Sequence, residues 1–110
     1  MALIVITENH DALLRKVEYA IDADVVEDWS YTAERDFAFA GSLAKGVRLR
    51  PTIDGDAMVF GVVPAPGGPL TPIVYARAHA SFAEVLLEHA DDLFDSVEIT
   101  ARLSEYDRQE

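Results

Sequence analysis

The chain has 110 residues and no cysteine. This absence excludes a disulfide framework, a thiolate metal site and a cysteine nucleophile. The three histidines, His10, His79 and His89, do not occur at the spacings that place two zinc ligands on one helix face. The stretch "DGD" at 54–56 resembles the centre of a calcium loop, but the other spaced oxygen ligands are missing. We therefore expect no bound metal and no cofactor.

The sequence motifs of common enzymes are also missing. There is no glycine-rich phosphate loop, nucleophile elbow or dinucleotide-binding fingerprint. His89 falls among apolar positions of a predicted helix, where a core histidine with one hydrogen bond is favoured over a buried general base. Ser81, close to His79 in sequence, is explained by helix capping rather than by nucleophilic catalysis. The sequence nominates no catalytic residue, and a non-catalytic role is favoured.

Basic residues are scarce, because nine Lys and Arg residues face twenty Asp and Glu residues, for a formal net charge of −11. This charge repels the phosphates of nucleic acids and of anionic lipids, so direct binding to nucleic acid or to a membrane is not expected. The acidity fits a basic partner protein. It equally fits genome composition or adaptation to high salt, with no function attached.

Long hydrophobic runs are absent as well. The apolar run "ALIVI" at 2–6 is too short for the core of a signal peptide or for a membrane span, so we expect a cytoplasmic protein. Hydrophobic residues nevertheless make up 50% of the chain, which is typical of a folded protein. We predict one domain over 1–110 with a polar tail from about residue 104.

The hydrophobic pattern predicts an α+β fold in the order β-α-α-β-β-β-α-β, with about three helices packed on one face of a mainly antiparallel sheet. The first strand is "ALIVI", and Asn9 is placed to cap a helix that ends near Asp24. Residues 29–45 fit two structures, since aromatic residues alternate as in a strand. Arg35 breaks that alternation, and a helix over 32–45 is favoured.

The second half of the chain has stronger turn signals. Asp54-Gly55 predicts a hairpin between two strands, and a third strand is predicted over 72–78. "SFAE" at 81–84 is a capping box, predicting a helix from Ser81 to about Asp95 and a last strand at 97–103. The proline-rich stretch "VPAPGGPLTP" then joins two strands as a long loop, and its one large apolar side chain, Leu70, is a candidate contact residue.

Acidic residues cluster in two runs. On the predicted last helix, five carboxylates fall within an arc of about 100°, and they are Glu84, Glu88, Asp91, Asp92 and Asp95. The second run includes Glu18 and Asp22, and no Lys or Arg interrupts either run. These seven acids and Leu70 are the predicted partner-binding residues. A solvated face of a generally acidic protein is the alternative.

The basic residues Lys45, Arg48 and Arg50 lie within six positions, and we expect Arg77 on a neighbouring strand. They form either an anion-binding site or the internal counter-charge to the acids, and we prefer the counter-charge.

The leading hypothesis is a small non-catalytic protein-binding module that docks a negative helical face on a basic surface of a partner protein. By analogy, a small acidic binding module of this kind could be an inhibitor, an immunity protein or another neutralising protein. The alternative is a binder of a small molecule or anion, or a small enzyme, using Arg48, Arg50 and Arg77. An acid-rich domain without a charge-dependent partner is a third possibility, and the sequence does not predict an oligomeric state.

Overall fold

The computed structural model of the chain describes residues 2–41, 44–68, 71–101 and 107. Its elements in chain order are β1 (Ala2–Ile6), α1 (His10–Asp22), β2 (Trp29–Tyr31), β3 (Phe37–Phe39), β4 (Arg48–Asp54), β5 (Ala57–Val63), α2 (Pro72–His89), a 3₁₀ turn (Asp91–Leu93) and β6 (Ser96–Ile99). The strands form one antiparallel sheet in the spatial order β2-β3-β4-β5-β1-β6. Neither helix in these ranges is long and apolar enough to cross a membrane.

The fold is a mixed α+β fold with two helices in the described ranges, so the prediction of about three helices is wrong. The helix expected over 32–45 is replaced by the β2–β3 hairpin and the turn that follows it. Trp29 pairs with Phe39 and Tyr31 pairs with Phe37. Arg35 does not break a strand face, because it lies in the turn with a left-handed φ of 66°.

The strand expected over 72–78 is the first part of α2. Thr71 is the N-cap residue of α2, and Pro72 occupies the first turn, where its missing N–H and fixed φ are favourable. Ser81 therefore lies in the middle of the helix, and its predicted role as an N-cap is wrong. The helix ends at His89 rather than near Asp95, and β6 ends at Ile99. The proline-rich stretch consequently connects a strand to a helix.

Other local predictions are confirmed. Helix α1 follows Asn9 as its N-cap residue, although the Asn9 side chain makes no capping hydrogen bond. Strands β4 and β5 form the hairpin expected at Asp54-Gly55. Asp54 pairs with Ala57, and Gly55 adopts a φ of 63° that a two-residue turn requires. The polar tail predicted from residue 104 lies outside the described ranges, except for Asp107.

Both helices pack on one face of the sheet. Leu3 of β1 and Phe60 of β5 are paired neighbours on that face, and Leu13 of α1 and Phe82 of α2 join them in one buried core. On β4, Arg48 and Arg50 alternate with a buried core leucine, so their side chains lie on the other face.

Candidate functional site

A groove runs along one side of α2, between that helix and the loop of residues 24–28 that precedes β2. Four carboxylates line it, two from the loop and two from the helix: Glu27, Asp28, Glu84 and Glu88. We call this surface the acidic groove. One part has a volume of about 350 Å³ and ends at His89. The adjoining part, of about 770 Å³, extends over Phe39 towards Arg77.

The loop that carries Glu27 and Asp28 is held in place by its backbone. Asp24 and Asp28 adopt left-handed φ values of 60° and 68°, a conformation that aspartate tolerates better than most residues. The Asp28 carbonyl accepts a 2.8 Å hydrogen bond from the Ala40 amide, which extends the β2–β3 hairpin by one pair. The backbone of the loop is therefore held in one conformation, which fixes the positions from which its side chains extend.

An aromatic contact between the sheet and α2 lies beside the acidic groove and shares Phe39 and Ser81 with its lining. Trp29 is 5% exposed, and its indole Nε1 donates a 2.9 Å hydrogen bond to Ser81 Oγ. Its ring also lies 4.7 Å from Phe39 and 5.0 Å from Phe82, centroid to centroid. Because Ser81 lines both parts of the groove, this hydrogen bond fixes the helix against the strand that follows the acidic loop.

Replacing Ser81 with alanine is expected to lower the free energy of unfolding by about 1 kcal/mol, because the buried Trp29 N–H loses its acceptor. The higher helix propensity of alanine offsets a few tenths of a kcal/mol of that loss. Urea titration measures the change. The matched control is Ser81→Ala in a Trp29→Phe background, where no N–H is left unpaired and the cost should disappear. An equal cost in both backgrounds would contradict the assigned role of Ser81.

Two of the predicted acids, Glu18 and Asp22, are engaged elsewhere. Arg35 donates from Nε to Glu18 at 2.9 Å and from Nη1 to Asp11 at 2.9 Å. The Tyr31 hydroxyl donates to both carboxylate oxygens of Asp22, at 2.8 and 2.9 Å, which raises the pKa of Tyr31. These bonds tie α1 to the β2–β3 hairpin. They give Glu18 and Asp22 a structural role outside the acidic groove.

The predicted stripe of five acids on one helix is divided, since α2 ends at His89. Asp91 and Asp92 lie in the 3₁₀ turn, and Asp95 lies just before β6. Asp92 and Asp95 border a separate polar hollow that also includes Glu8. Only Glu84 and Glu88 of the stripe reach the acidic groove. Within the described ranges, no group of three or more acidic or histidine side chains is arranged to hold a metal ion.

Glu27 and Asp28 are not among the residues predicted from the sequence to bind a partner. Both belong to the acidic run that begins at Glu18, and that run was the available signal. The sequence of this run does not show that α1 ends at Asp22. Because the helix ends there, Glu27 and Asp28 lie in the loop that faces α2.

The basic residues are not gathered into one site. Arg50 binds Asp36 with two hydrogen bonds, Nε to Oδ1 at 3.0 Å and Nη2 to Oδ2 at 2.8 Å, and Arg48 Nη1 lies 3.4 Å from Oδ2. Arg77 belongs to α2 on the opposite face of the sheet, rather than to a neighbouring strand. Lys45 lies exposed in the turn before β4. The arrangement around Asp36 fits the counter-charge interpretation.

The remaining candidates are His89, which lies at one end of the acidic groove, and Leu70. His89 is partly buried, with Nε2 3.5 Å from Glu88 Oε1 at the end of α2. Leu70 lies outside the described residues.

The geometry therefore singles out one surface, the acidic groove, whose described basic neighbours are Arg77 and His89. Among the described residues that line it, no nucleophile and base form a preorganised pair of the kind that enzymes use. Comparison of the chain with protein-family models, with curated proteins and with solved structures gave no match.

Proposed function

We propose that the protein is a non-catalytic binding module and that its acidic groove docks on a basic segment of a partner protein. One observation carries the proposal: two acidic runs that are far apart in sequence meet on opposite walls of the same groove. Glu27 and Asp28 come from the loop, and Glu84 and Glu88 come from α2. A cationic side chain entering between the walls would face carboxylates on both sides.

The arrangement also costs the isolated protein some stability. Glu84 and Glu88 are one helical turn apart, and like charges at that spacing destabilise a helix by a few tenths of a kcal/mol. In the described ranges, neither has a Lys or Arg within ion-pair distance, whereas Glu18 and Asp11 are both held by Arg35. Acids without a Lys or Arg partner, on a groove whose loop is held by backbone hydrogen bonds, suit recognition of a partner more than internal stabilisation. An inhibitor, an immunity protein or another neutralising protein of the cytoplasm would use such a surface.

The test compares two variants of equal net charge. The groove variant carries Asp28→Asn, Glu84→Gln and Glu88→Gln, and asparagine tolerates the left-handed backbone at position 28. The control variant carries Asp91→Asn, Asp92→Asn and Asp95→Asn. These residues lie between α2 and β6, outside the acidic groove. The partner is first captured on the unmodified chain at low salt, identified, purified and then used for association kinetics.

The groove variant should bind the partner at least about tenfold more weakly, mainly through slower association, and its binding should depend less on salt. The control variant should bind like the unmodified chain. Equal weakening of both variants would show that only the net charge matters, and unchanged binding of the groove variant would exclude the groove. Thermal unfolding checks that both variants remain folded.

A further inference from the structure

Helix α2 carries a stripe of apolar residues on its outer surface, beside the charged side chains of the acidic groove. Five residues form an outward stripe at alternating intervals of three and four positions: Ile73, Ala76, Ala80, Ala83 and Leu87. Ile73 is 52% exposed and Leu87 is 55% exposed, although both are large apolar side chains. Ala76 and Ala80 are exposed and line the larger part of the acidic groove, whereas Ala83 is half-buried and also packs against the core. An ordinary surface helix places polar residues along this face.

The spacing of the outer stripe is that of a helix–helix seam. Intervals of three and four residues keep one face of a helix turned towards a second helix along its length. The alanines at the centre of the stripe allow two helix backbones to approach closely, and the larger residues lie at its two ends. The stripe therefore has the residue pattern of one side of a helix–helix interface, and no helix in the described part of the chain packs along it.

The stripe is complementary to itself in the antiparallel direction. Ile73 and Leu87 lie seven residues before and seven residues after Ala80, so each would meet the other across a twofold axis at Ala80. Arg77 and Glu84 lie three before and four after Ala80, on the same flank of the helix. A twofold axis brings like flanks together, so Arg77 of one copy would face Glu84 of the other, twice.

We propose that two copies of this chain associate through antiparallel packing of their α2 helices, with the twofold axis at Ala80. Charge selects a second copy over a basic partner as the occupant of this stripe. A basic helix laid along it would meet Arg77, which has no carboxylate within ion-pair distance in the described ranges, whereas a second copy supplies Glu84. The dimer goes beyond the docking function, and its contact surface overlaps the larger part of the acidic groove, which Ala76, Arg77, Ala80 and Glu84 line. The docking proposal rests on the smaller part, where the carboxylates of the loop face those of α2.

The net charge of −11 gives the dimer a diagnostic salt dependence. Two copies repel each other through their total charge, and this repulsion weakens as salt shortens the screening length from about 10 Å at 0.1 M to about 3 Å at 1 M. Self-association should therefore strengthen with added salt. Docking of a basic partner should weaken with added salt, so failure of one proposal is distinguishable from failure of the other.

The absence of cysteine allows a direct test of the orientation. Ala80→Cys places one thiol at the twofold axis, so the full chain should form a disulfide-linked dimer under mild oxidation. Ile73→Cys alone should not, because its two copies would lie about 20 Å apart, at 1.5 Å per residue. A mixture of Ile73→Cys and Leu87→Cys chains should again form dimers. Cross-linking by Ile73→Cys alone would indicate a parallel pair and overturn the proposal.

Sedimentation equilibrium of the unmodified chain should show a monomer–dimer equilibrium at concentrations from about 1 μM to about 1 mM. Leu87→Glu and Ala80→Arg should each give monomers with unchanged helix content. The control Ile53→Arg alters another exposed apolar residue, at 62% exposure on β4, and should leave the dimer intact. Arg77→Glu and Glu84→Arg should each weaken the dimer, and the two together should restore it. A chain that stays monomeric in low and high salt, or a dimer that tolerates Ala80→Arg, would refute the proposal.

Discussion

Replacement of Phe82 by alanine is expected to lower the free energy of unfolding by about 3–5 kcal/mol. Phe82 is fully buried, and its ring lies 5.0 Å from Trp29, 5.1 Å from Phe37 and 5.0 Å from Phe60 between ring centroids. Alanine would remove the side chain that joins α2 to three strands. Since domains of this size are stable by only about 5–15 kcal/mol, the loss is a large share of the total.

The chain has one tryptophan, so its fluorescence reports the unfolding of this core in a urea titration. Phe82→Leu, which leaves a smaller cavity, should cost roughly half as much. Tyr19→Ala, at a position 74% exposed, should change the free energy of unfolding by less than about 0.5 kcal/mol. A cost for Phe82→Ala as small as that for Tyr19→Ala would mean that the ring cluster does not hold the helix to the sheet.

The same core explains which parts of the fold the sequence could predict. Strand β1 and helix α1 follow from simple patterns, since "ALIVI" is a short β-branched run and Leu13, Leu14, Val17 and Ala20 recur at helical spacing and are buried. The β4–β5 hairpin follows from its Asp-Gly turn. In each of these segments the local signal and the tertiary packing agree.

The errors arose where two local signals competed. The capping box at Ser81 predicts a helix that starts there, which leaves 72–78 as a strand, although Pro72 is equally favourable in a first helical turn. The buried residues of α2 begin earlier, at Val74 and Tyr75, and this favours the start at Pro72. At 29–45, the aromatic alternation was correct and Arg35 misled, because a turn residue was treated as part of a strand. Packing of Trp29 and Phe37 on Phe82 decides in favour of strands.

The candidate site shows a different limit. The composition of each acidic run was visible, but which carboxylates meet depends on where helices end. Helix α2 ends at His89, which removes Asp91 and Asp95 from the stripe, and α1 ends at Asp22, which frees Glu27 and Asp28 to face α2. If either helix ended one turn earlier or later, a different set of carboxylates would line the acidic groove. Sequence patterns locate such boundaries only to within a few residues.

Replacement of Arg50 by alanine is expected to cost about 2–4 kcal/mol, far more than replacement of Arg48. The reason lies in the carboxylate that remains: Asp36 has a side chain only 2% exposed, so it cannot regain water when its partner is removed. Arg50 provides both short hydrogen bonds to Asp36, whereas Arg48 contacts one oxygen at 3.4 Å. Arg48→Ala leaves the bidentate pair intact and should cost about 1 kcal/mol or less.

Arg50→Lys separates charge from geometry, because lysine keeps the positive charge but not the planar pair of donors, and its cost should be intermediate. Urea titrations of the three variants at neutral pH measure these differences. The experiment also bears on the anion-binding alternative, since an external phosphate would compete with a buried carboxylate for the two Arg50 donors that bind Asp36. If phosphate raises the melting temperature of the unmodified chain and Arg50→Ala costs no more than Arg48→Ala, the arginines serve a ligand. If phosphate has no effect and the costs differ as expected, they serve Asp36 and hold the β2–β3 turn against β4.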